Sequence, residues 1–363
     1  MPGWGEILAE FQQSAATHPP AGDLDGIRDR YIGRLHELSG RAVIVYSSGW
    51  LAGRTSGDVS VVGDDVLSMM EVCRDVDETE LDLIISSPGG QAQAAEQIVE
   101  YLRTQFDYIR CFVPMQAKSA ATMIALGCDE IVVGNHSELG PIDPQITLMT
   151  PEGPRGGPAH AILRDFRRAQ EQTSGDVSLL AAWTPILRSY VGGLIEYCTQ
   201  QVNLSIDVVG GWLEQHMLAH EDMDLTDPEK RRAKAHEIAH YFGSDDAYDR
   251  HRTHERPIRL PELEQLGVRV RRLGSDDEEL QDAVLSVYHA TDITFSVNPG
   301  VVKIVENHLG RRRVRFQQQL AVNLPVQPVV VPQPAPVPPE RQPPPGEVPP
   351  PPPPDAPAPP VNG

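Results

Sequence analysis

The sequence predicts an α/β fold built on a parallel sheet. Short, continuous apolar runs are typical of strands that are buried on both faces. Strand and helix patterns alternate four times between residues 41 and 133, which is the pattern of a parallel sheet with helical crossovers. About 300 residues precede a proline-rich tail, enough for one large domain or two with a buried core.

Two helices are expected before the sheet begins. Residues 5–18 and 23–38 both place apolar side chains at helical spacing. Pro19 ends the first pattern, and Gly40 is the expected C-cap of the second.

The alternating unit follows these helices. The predicted strands are residues 42–46, 81–85, 108–113 and 130–133. The predicted helices between them are residues 66–73, 92–106 and 119–126, and Asp64 or Asp65 can cap the first.

The rest of the chain is mainly helical in pattern. Helices are predicted at residues 159–172, 179–200, 205–217, 227–242, 260–266 and 276–290, with a strand at 268–270. The last 39 residues hold 19 of the 34 prolines, so residues 325–363 are expected to be a disordered, proline-rich tail that packs no core.

Composition excludes several classes of protein. The formal charge of −20, from 31 basic and 51 acidic residues, argues against nucleic acid or an anionic membrane surface as the partner. The four cysteines lack pair spacing, which argues against a disulfide framework or a cysteine zinc site. No run of 18 apolar residues and no secretory signal is present, so we expect a cytoplasmic protein without a transmembrane segment.

Three motifs carry the chemistry, each placed after a predicted strand. Residues 86–90 (SSPGG) let the backbone turn sharply and expose N–H groups suited to an oxyanion. Residues 117–122 (AKSAAT) place Ser119 at a helix start, where Ala120 can offer a second N–H group. Residues 135–145 form a polar bend that can wall a cleft. A plain turn, an N-cap serine and a structured loop are the ordinary alternatives.

Together, these motifs resemble the serine dehydrogenase proteinase family, a relative of signal peptide peptidase A and Clp protease. The resemblance runs from about residue 24 to residue 309. It implies a Clp/crotonase-like fold, a Ser119 nucleophile and an oxyanion hole at Gly89 and Gly90, completed by Ala120. It also implies a serine-type endopeptidase that acts on a peptide or protein substrate, assembles as a homo-oligomer and needs no cofactor.

The general base stays open at this stage. Lys118 adjoins the serine, but neighbours on an extended chain face opposite sides. The remaining candidates are His254, which we favour, His160 and Lys234. A serine without a base would leave a catalytically inactive scaffold.

A zinc site is the rival interpretation. Residues 236–240 read HEIAH, so His236 and His240 share a helix face, and Asp246 can be the third ligand. Glu237 would then act on the bound water. The helix is heavily charged, however, and such a motif arises by chance on polar helices.

The predicted organisation has four segments. These are an N-terminal helical segment (1–23), a Clp/crotonase-like domain with a helical insertion (24–275), a helical C-terminal extension (276–324) and the tail (325–363). The tail is expected to be a spacer or to bind a partner.

Overall fold

A seven-stranded sheet organises the chain in the computed structural model, which describes residues 3–17, 23–54, 59–150, 153–274 and 277–317. The strands are β1 (Ala42–Ser48), β2 (Glu80–Ser86), β3 (Tyr108–Val113), β4 (Gln116–Ala117), β5 (Glu130–Val133), β6 (Glu138–Leu139), β7 (Gln145–Thr150), β8 (Gly153–Pro158), β9 (Val270–Arg272), β10 (Val301–Asn307) and β11 (Arg312–Phe316). The predicted tail, residues 325–363, lies outside the described residues.

The helices lie between these strands and on both sides of the sheet. They are α1 (Trp4–Thr17), α2 (Leu24–Ser39), α3 (Asp65–Cys73), α4 (Ala92–Gln105), α5 (Ala120–Leu126), α6 (Ala159–Gly175), α7 (Leu180–Arg188), α8 (Leu194–Gln215), α9 (Pro228–Gly243), α10 (Asp245–His251), α11 (Leu260–Gln265) and α12 (Glu278–Val297).

The sheet is parallel at its centre, with the strand order β11-β10-β1-β2-β3-β5-β9. Strands β1, β2, β3, β5 and β9 pair in parallel, and helices supply the crossovers that parallel pairing requires. Strand β10 is antiparallel to β1, and β11 is antiparallel to β10. The predicted α/β fold with a parallel sheet is confirmed.

Both faces of the sheet are covered, which explains the continuous apolar runs. On β1, Ile44 and Tyr46 face a core shared with α3, α4 and α8. Val43 and Val45 face the opposite way, toward α2 and α12. Alternate residues of a strand point to opposite faces, so a strand buried on both sides has no polar face.

The predicted C-terminal extension is only partly helical. After α12, residues 276–324 also contribute β10 and β11 to the sheet. Lys303 and Glu306 interrupt the apolar run of β10, although both side chains are buried. Each has an opposite charge at 2.7 Å, Asp65 for Lys303 and Arg28 for Glu306. Strand β10 therefore has no continuous apolar run in the sequence. Its buried charges are tolerated because each is paired with a residue that is distant in sequence.

The helical middle is divided differently from the prediction. Instead of helices at 179–200 and 205–217, the chain forms α7 and one long α8. The break falls at Gly193, whose φ of 81° is strained for residues with a side chain. Ser205 does not interrupt α8, because its hydroxyl donates to the Val202 carbonyl at 3.0 Å inside the helix.

The β7–β8 hairpin is absent from the sequence prediction. Strand β8 has the sequence GPRGGP, and glycine and proline are depleted in strands. The antiparallel register pairs Gln145 with Pro158 and Ile146 with Gly157. The hairpin therefore forms through backbone pairing rather than strand propensity.

All four cysteines are buried and free, as expected for reduced thiols. Within the described ranges, no helix is both long and apolar enough to cross a membrane.

The buried pair between β2 and β3 yields a stability prediction. Asp82 is fully buried, and both its oxygens accept from Arg110, at 2.8 and 2.7 Å. Asp82→Asn leaves a buried arginine without its counter-charge, so we expect the free energy of unfolding to fall by about 3–5 kcal/mol. Urea denaturation measures this fall.

The matched control is the more exposed pair at the start of β2. Glu80 lies 2.8 Å from Arg41 and is half-exposed. Glu80→Gln is expected to change the unfolding free energy by less than about 1 kcal/mol. Equal losses in the two variants would contradict a special role for the buried pair.

Candidate active site

The three sequence motifs meet at the carboxyl edge of the parallel sheet. Residues 86–90 follow β2, residues 117–122 follow β3 and β4, and residues 135–145 follow β5. Strands β2, β3 and β5 are consecutive neighbours. Ligands of open α/β sheets bind at this edge, so the sheet places the motifs where a site is expected.

Backbone hydrogen bonds join the first motif to the second. The Ser87 N–H donates to the Gln116 carbonyl at 3.1 Å, and the Lys118 N–H donates to the Ser87 carbonyl at 3.0 Å. This short parallel pairing brings Gly89 alongside Ser119.

The Thr122 hydroxyl and a strand-like bridge bind the third motif in place. The Thr122 hydroxyl donates to the Ala117 carbonyl at 2.7 Å and accepts from the Gly140 N–H at 3.0 Å. Leu139 and Ile258 exchange two backbone hydrogen bonds of 2.9 Å. These two bonds place the loop between α10 and α11, which contains His254, at the same edge of the sheet.

Ser119 has an unusual backbone conformation. Its φ is 50° and its ψ is −120°, a sparsely populated combination for a residue with a side chain. It occupies the N-cap position of α5, yet its side chain makes no capping hydrogen bond. The ordinary explanation of this serine as an N-cap therefore fails, and its half-buried hydroxyl is left for other chemistry.

The two glycines of the first motif allow close backbone contacts. Gly89 has a φ of 88°, and a Cβ there would lie 2.2 Å from the Lys118 carbonyl oxygen and 2.6 Å from the Ser119 Cβ. A Cβ on Gly90 would lie 2.3 Å from the Val61 carbonyl oxygen. Glycine is thus required at both positions, at one for contact with Ser119 and at the other for contact with Val61.

Two backbone N–H groups beside the serine have no acceptor among the described residues, those of Gly90 and Ala120. The Gly89 N–H differs, because it donates to the Ser87 hydroxyl at 3.2 Å. Of the three predicted oxyanion-hole residues, Gly90 and Ala120 are therefore the better suited to bind an anion.

A cavity of about 530 Å³ opens beside Gly90 and Ser119. It is lined by Gly89, Gly90, Ser119 and His254, residues that are distant in sequence. The rest of its lining mixes apolar side chains, such as Val61, Ile142 and Tyr197, with polar ones, such as Gln91, Gln145 and Gln201.

His254 is held by an acidic residue that the sequence analysis did not select. Its Nδ1 lies 2.7 Å from Oδ1 of Asp143, whose side chain is buried. The other carboxylate oxygen accepts from the Gln145 amide at 2.9 Å. Asp143 belongs to the third motif, so the available signal was a carboxylate on the loop beside the predicted serine.

The other candidate bases lie outside this cavity. His160 is buried, with Nε2 at 2.9 Å from the Gly243 carbonyl oxygen, and it lines a different cavity. Lys234 pairs with Glu237 on α9 at 3.0 Å. Neither is among the described residues that line the Ser119 cavity.

Lys118, next to the serine, is held by other groups. Its ammonium donates to Glu138 at 3.2 Å and to the Leu139 carbonyl at 3.3 Å. Burial lowers the pKa of Lys118, and the carboxylate of Glu138 opposes that shift. It too is absent from the described lining of the cavity.

The residues of the zinc interpretation do not converge on one site. His236 and His240 have ring centroids 3.9 Å apart, but Asp246 is exposed and Glu237 pairs with Lys234. Within the described ranges, these residues form no group of three ligand atoms close enough to hold one ion. Burial and the neighbouring His236 lower the pKa of His240.

Comparison with known sequences finds a family model that matches the central segment. Residues 63–183, about a third of the chain, match the family described as ClpP-like SDH-type serine proteinase. This stretch contains all three motifs, so the resemblance predicted from them is confirmed there. His254 lies beyond it.

Two curated relatives match the same share of the chain. Both are uncharacterized proteins of Methanocaldococcus jannaschii, one 36% identical over 100 residues and the other 44% identical over 102 residues. Each alignment covers 28% of this chain and 32% or 33% of the relative. The chain thus spans about a third of the length of the curated relatives it matches.

Solved structures provide a weaker likeness. One mutant of the membrane-bound stomatin-specific protease 1510-N is 13% identical, with a TM-score of 0.34 over 60% of this chain and 77% of that chain. A second mutant, in complex with a substrate peptide, is 17% identical, with a TM-score of 0.24 over 62% and 93%. TM-scores this low establish no shared function.

The contact between Gly89 and Ser119 yields a stability prediction. Gly89→Ala adds a Cβ within 2.2 Å of the Lys118 carbonyl oxygen at a positive φ, so we expect a loss of at least about 1–3 kcal/mol in unfolding free energy. Gly63→Ala is the matched control, because the nearest atom to its Cβ would be 3.8 Å away. Chemical denaturation compares the two, and an unchanged Gly89→Ala would contradict the tight contact.

Proposed function

We propose that this chain, whose residues 63–183 match the ClpP-like SDH-type serine proteinases, is a serine endopeptidase. In this proposal Ser119 is the nucleophile, His254 is the general base and Asp143 orients the histidine. The observation that carries the proposal is the joint placement of Ser119 and a carboxylate-bound His254 on one cavity.

The contact with Asp143 supports the assignment of His254 as the base. A carboxylate accepts hydrogen bonds, so Nδ1 of His254 is the nitrogen that donates. In the neutral imidazole this leaves the lone pair on Nε2, the nitrogen that can take a proton from the Ser119 hydroxyl. The buried Asp143 then stabilises the imidazolium that forms.

The reaction would proceed through an acyl-enzyme. As Nε2 of His254 takes its proton, Oγ of Ser119 attacks the peptide carbonyl carbon, and the N–H groups of Gly90 and Ala120 bind the resulting oxyanion. The C–N bond breaks, and His254 returns the proton to the leaving amine. Water then attacks the ester in the same way, which releases the acid and restores the serine.

The strain at Ser119 is consistent with this role. Positive φ values in residues with side chains cluster at active sites, and a sharp turn that exposes a nucleophilic serine is a known device of hydrolases.

Assembly, location and tail function stay predictions. A homo-oligomer is supported by α7, where Leu180 and Ile186 are exposed and the adjoining Val191 is 57% exposed. Exposed apolar surface of this kind is often covered by another subunit.

A fluorophosphonate probe followed by intact-mass spectrometry tests the nucleophile. We expect one adduct on the wild type and none on Ser119→Ala, because only an activated serine reacts at an appreciable rate. Ser244→Ala is the matched control, since Ser244 also starts a helix but caps it, accepting from the Ala247 N–H at 3.1 Å. Its labelling should equal that of the wild type.

Probe labelling and peptide hydrolysis, each measured with and without a chelator, separate the rival functions. Labelling should persist after treatment with a chelator, whereas a zinc hydrolase at His236 and His240 would lose peptide hydrolysis on metal removal. No adduct on the wild type would overturn the serine mechanism and favour a catalytically inactive scaffold.

The role of Asp143 is tested by its isosteric variant. Asp143→Asn keeps the shape but favours the wrong imidazole tautomer, so we expect kcat to fall about 10³- to 10⁴-fold. Asp245→Asn is the matched control, because Asp245 lies 3.4 Å from a histidine outside the Ser119 cavity, His160. Steady-state hydrolysis of a fluorogenic peptide gives both rates, and equal losses would contradict the assignment.

A further inference from the structure

A buried ion pair lies close to residues 88–91, which we call the glycine loop. Lys303, on β10, and Asp65, the first residue of α3, have side chains that are 1% and 0% exposed. The Lys303 ammonium donates to both oxygens of Asp65, at 2.7 and 3.0 Å. Tyr46, also fully buried, donates its hydroxyl to Asp65 at 2.7 Å.

Both members of the pair also bind the backbone of residues 60–62. The Lys303 ammonium donates to the Ser60 carbonyl at 2.6 Å. The Val62 N–H donates to Oδ2 of Asp65 at 2.9 Å. The residue between these two attachment points, Val61, is therefore held from both sides.

Val61 in turn holds the glycine loop. Its N–H donates to the Gly89 carbonyl at 2.8 Å, and its carbonyl accepts from the Gln91 N–H at 2.9 Å. The pairing flanks Gly90 and uses neither its N–H nor its carbonyl. In a parallel bridge of this kind, the Gly90 N–H points away from Val61, and Gly90 lines the Ser119 cavity.

We infer that Lys303 and Asp65 are positioning residues for the proposed serine peptidase, fixing the Gly90 N–H through the backbone of residues 60–62. Neither side chain is among the described residues that line the cavity, so neither touches substrate. The inference rests on the proposed function. It assigns a task to β10, which lies outside the family match.

The physical reason is the precision that an oxyanion hole demands. Its N–H groups act only when they are held at the position of the developing charge. A displacement of about 1 Å caused by a mutation away from the chemistry can cost about 10²-fold in rate. A buried, multiply bonded ion pair resists such displacement, because its charges have no alternative partner in solvent.

The chain offers a matched control on the same strand. Glu306 is three residues after Lys303, so it points to the opposite face of β10. Its nearest partner is Arg28, and the two side chains are 0% and 1% exposed, with a closest approach of 2.7 Å. Arg312 lies 3.8 Å from the same carboxylate. This pair joins α2 to β10 and has no described contact with residues 60–62 or 88–91.

The experiment compares two charge-balanced double variants, Lys303→Met with Asp65→Asn, and Arg28→Met with Glu306→Gln. Removing both charges avoids leaving one buried charge unpaired, so each protein has the better chance to fold. We expect the first variant to lose about 10²-fold in kcat with KM within about threefold of the wild type. The second should lose thermal stability but keep kcat within about threefold.

Amide hydrogen exchange supplies a readout that does not depend on activity. The Gln91 N–H is protected by its bond to Val61, so its exchange should speed up about tenfold or more in the Lys303 variant and not in the Arg28 variant. Equal kcat losses in the two variants, or unchanged Gln91 exchange in the Lys303 variant, would overturn the inference.

The two failures can be told apart. A wild type that neither reacts with the fluorophosphonate nor hydrolyses peptide overturns the proposed function. Gln91 exchange then still decides whether the pair holds the glycine loop. An active wild type with an unaffected Lys303 variant overturns only the inference.

Discussion

The close pairing of Val61 with the glycine loop is the constraint on which the candidate site depends. The backbone of Val61 approaches Gly90 so closely that a Cβ on Gly90 would overlap its carbonyl. That approach leaves the Gly90 N–H turned away from its partner. Gly89, one residue earlier, turns at a positive φ and packs against Ser119. Two glycines thus connect the proposed oxyanion donor, the Gly90 N–H, to the proposed nucleophile, Ser119.

Buried charged side chains form ion pairs that connect elements of the fold. The chain as a whole is strongly acidic, yet several of its buried charges occur in pairs, such as Asp82 with Arg110 and Lys303 with Asp65. Burial makes an unpaired charge costly, so each pair constrains the two elements that carry it. On β10 this couples a late strand to α3 on one face and to α2 on the other.

Sequence reasoning predicted the elements with local signals. The parallel strands follow from continuous apolar runs, and Ser119 and the two glycines follow from motifs beside them. Strand β10 was missed because Lys303 and Glu306 interrupt its apolar run, and the β7–β8 hairpin because β8 is rich in glycine and proline. Asp143 was visible as a carboxylate in the third motif, but its partner is 111 residues away.

The sequence by itself determined the fold class, the nucleophile candidate and the glycine loop. Each of these features depends on a pattern of residues that are close together along the chain. The choice of His254 over His160 and Lys234 was decided by tertiary structure. It brings His254 to the cavity of Ser119, whereas His160 contacts the Gly243 carbonyl and Lys234 pairs with Glu237. The separation of His236 and His240 from a third ligand was decided there too. Periodicity and spacing describe a single element, whereas a site of this kind is assembled by several elements that meet only once the sheet has formed.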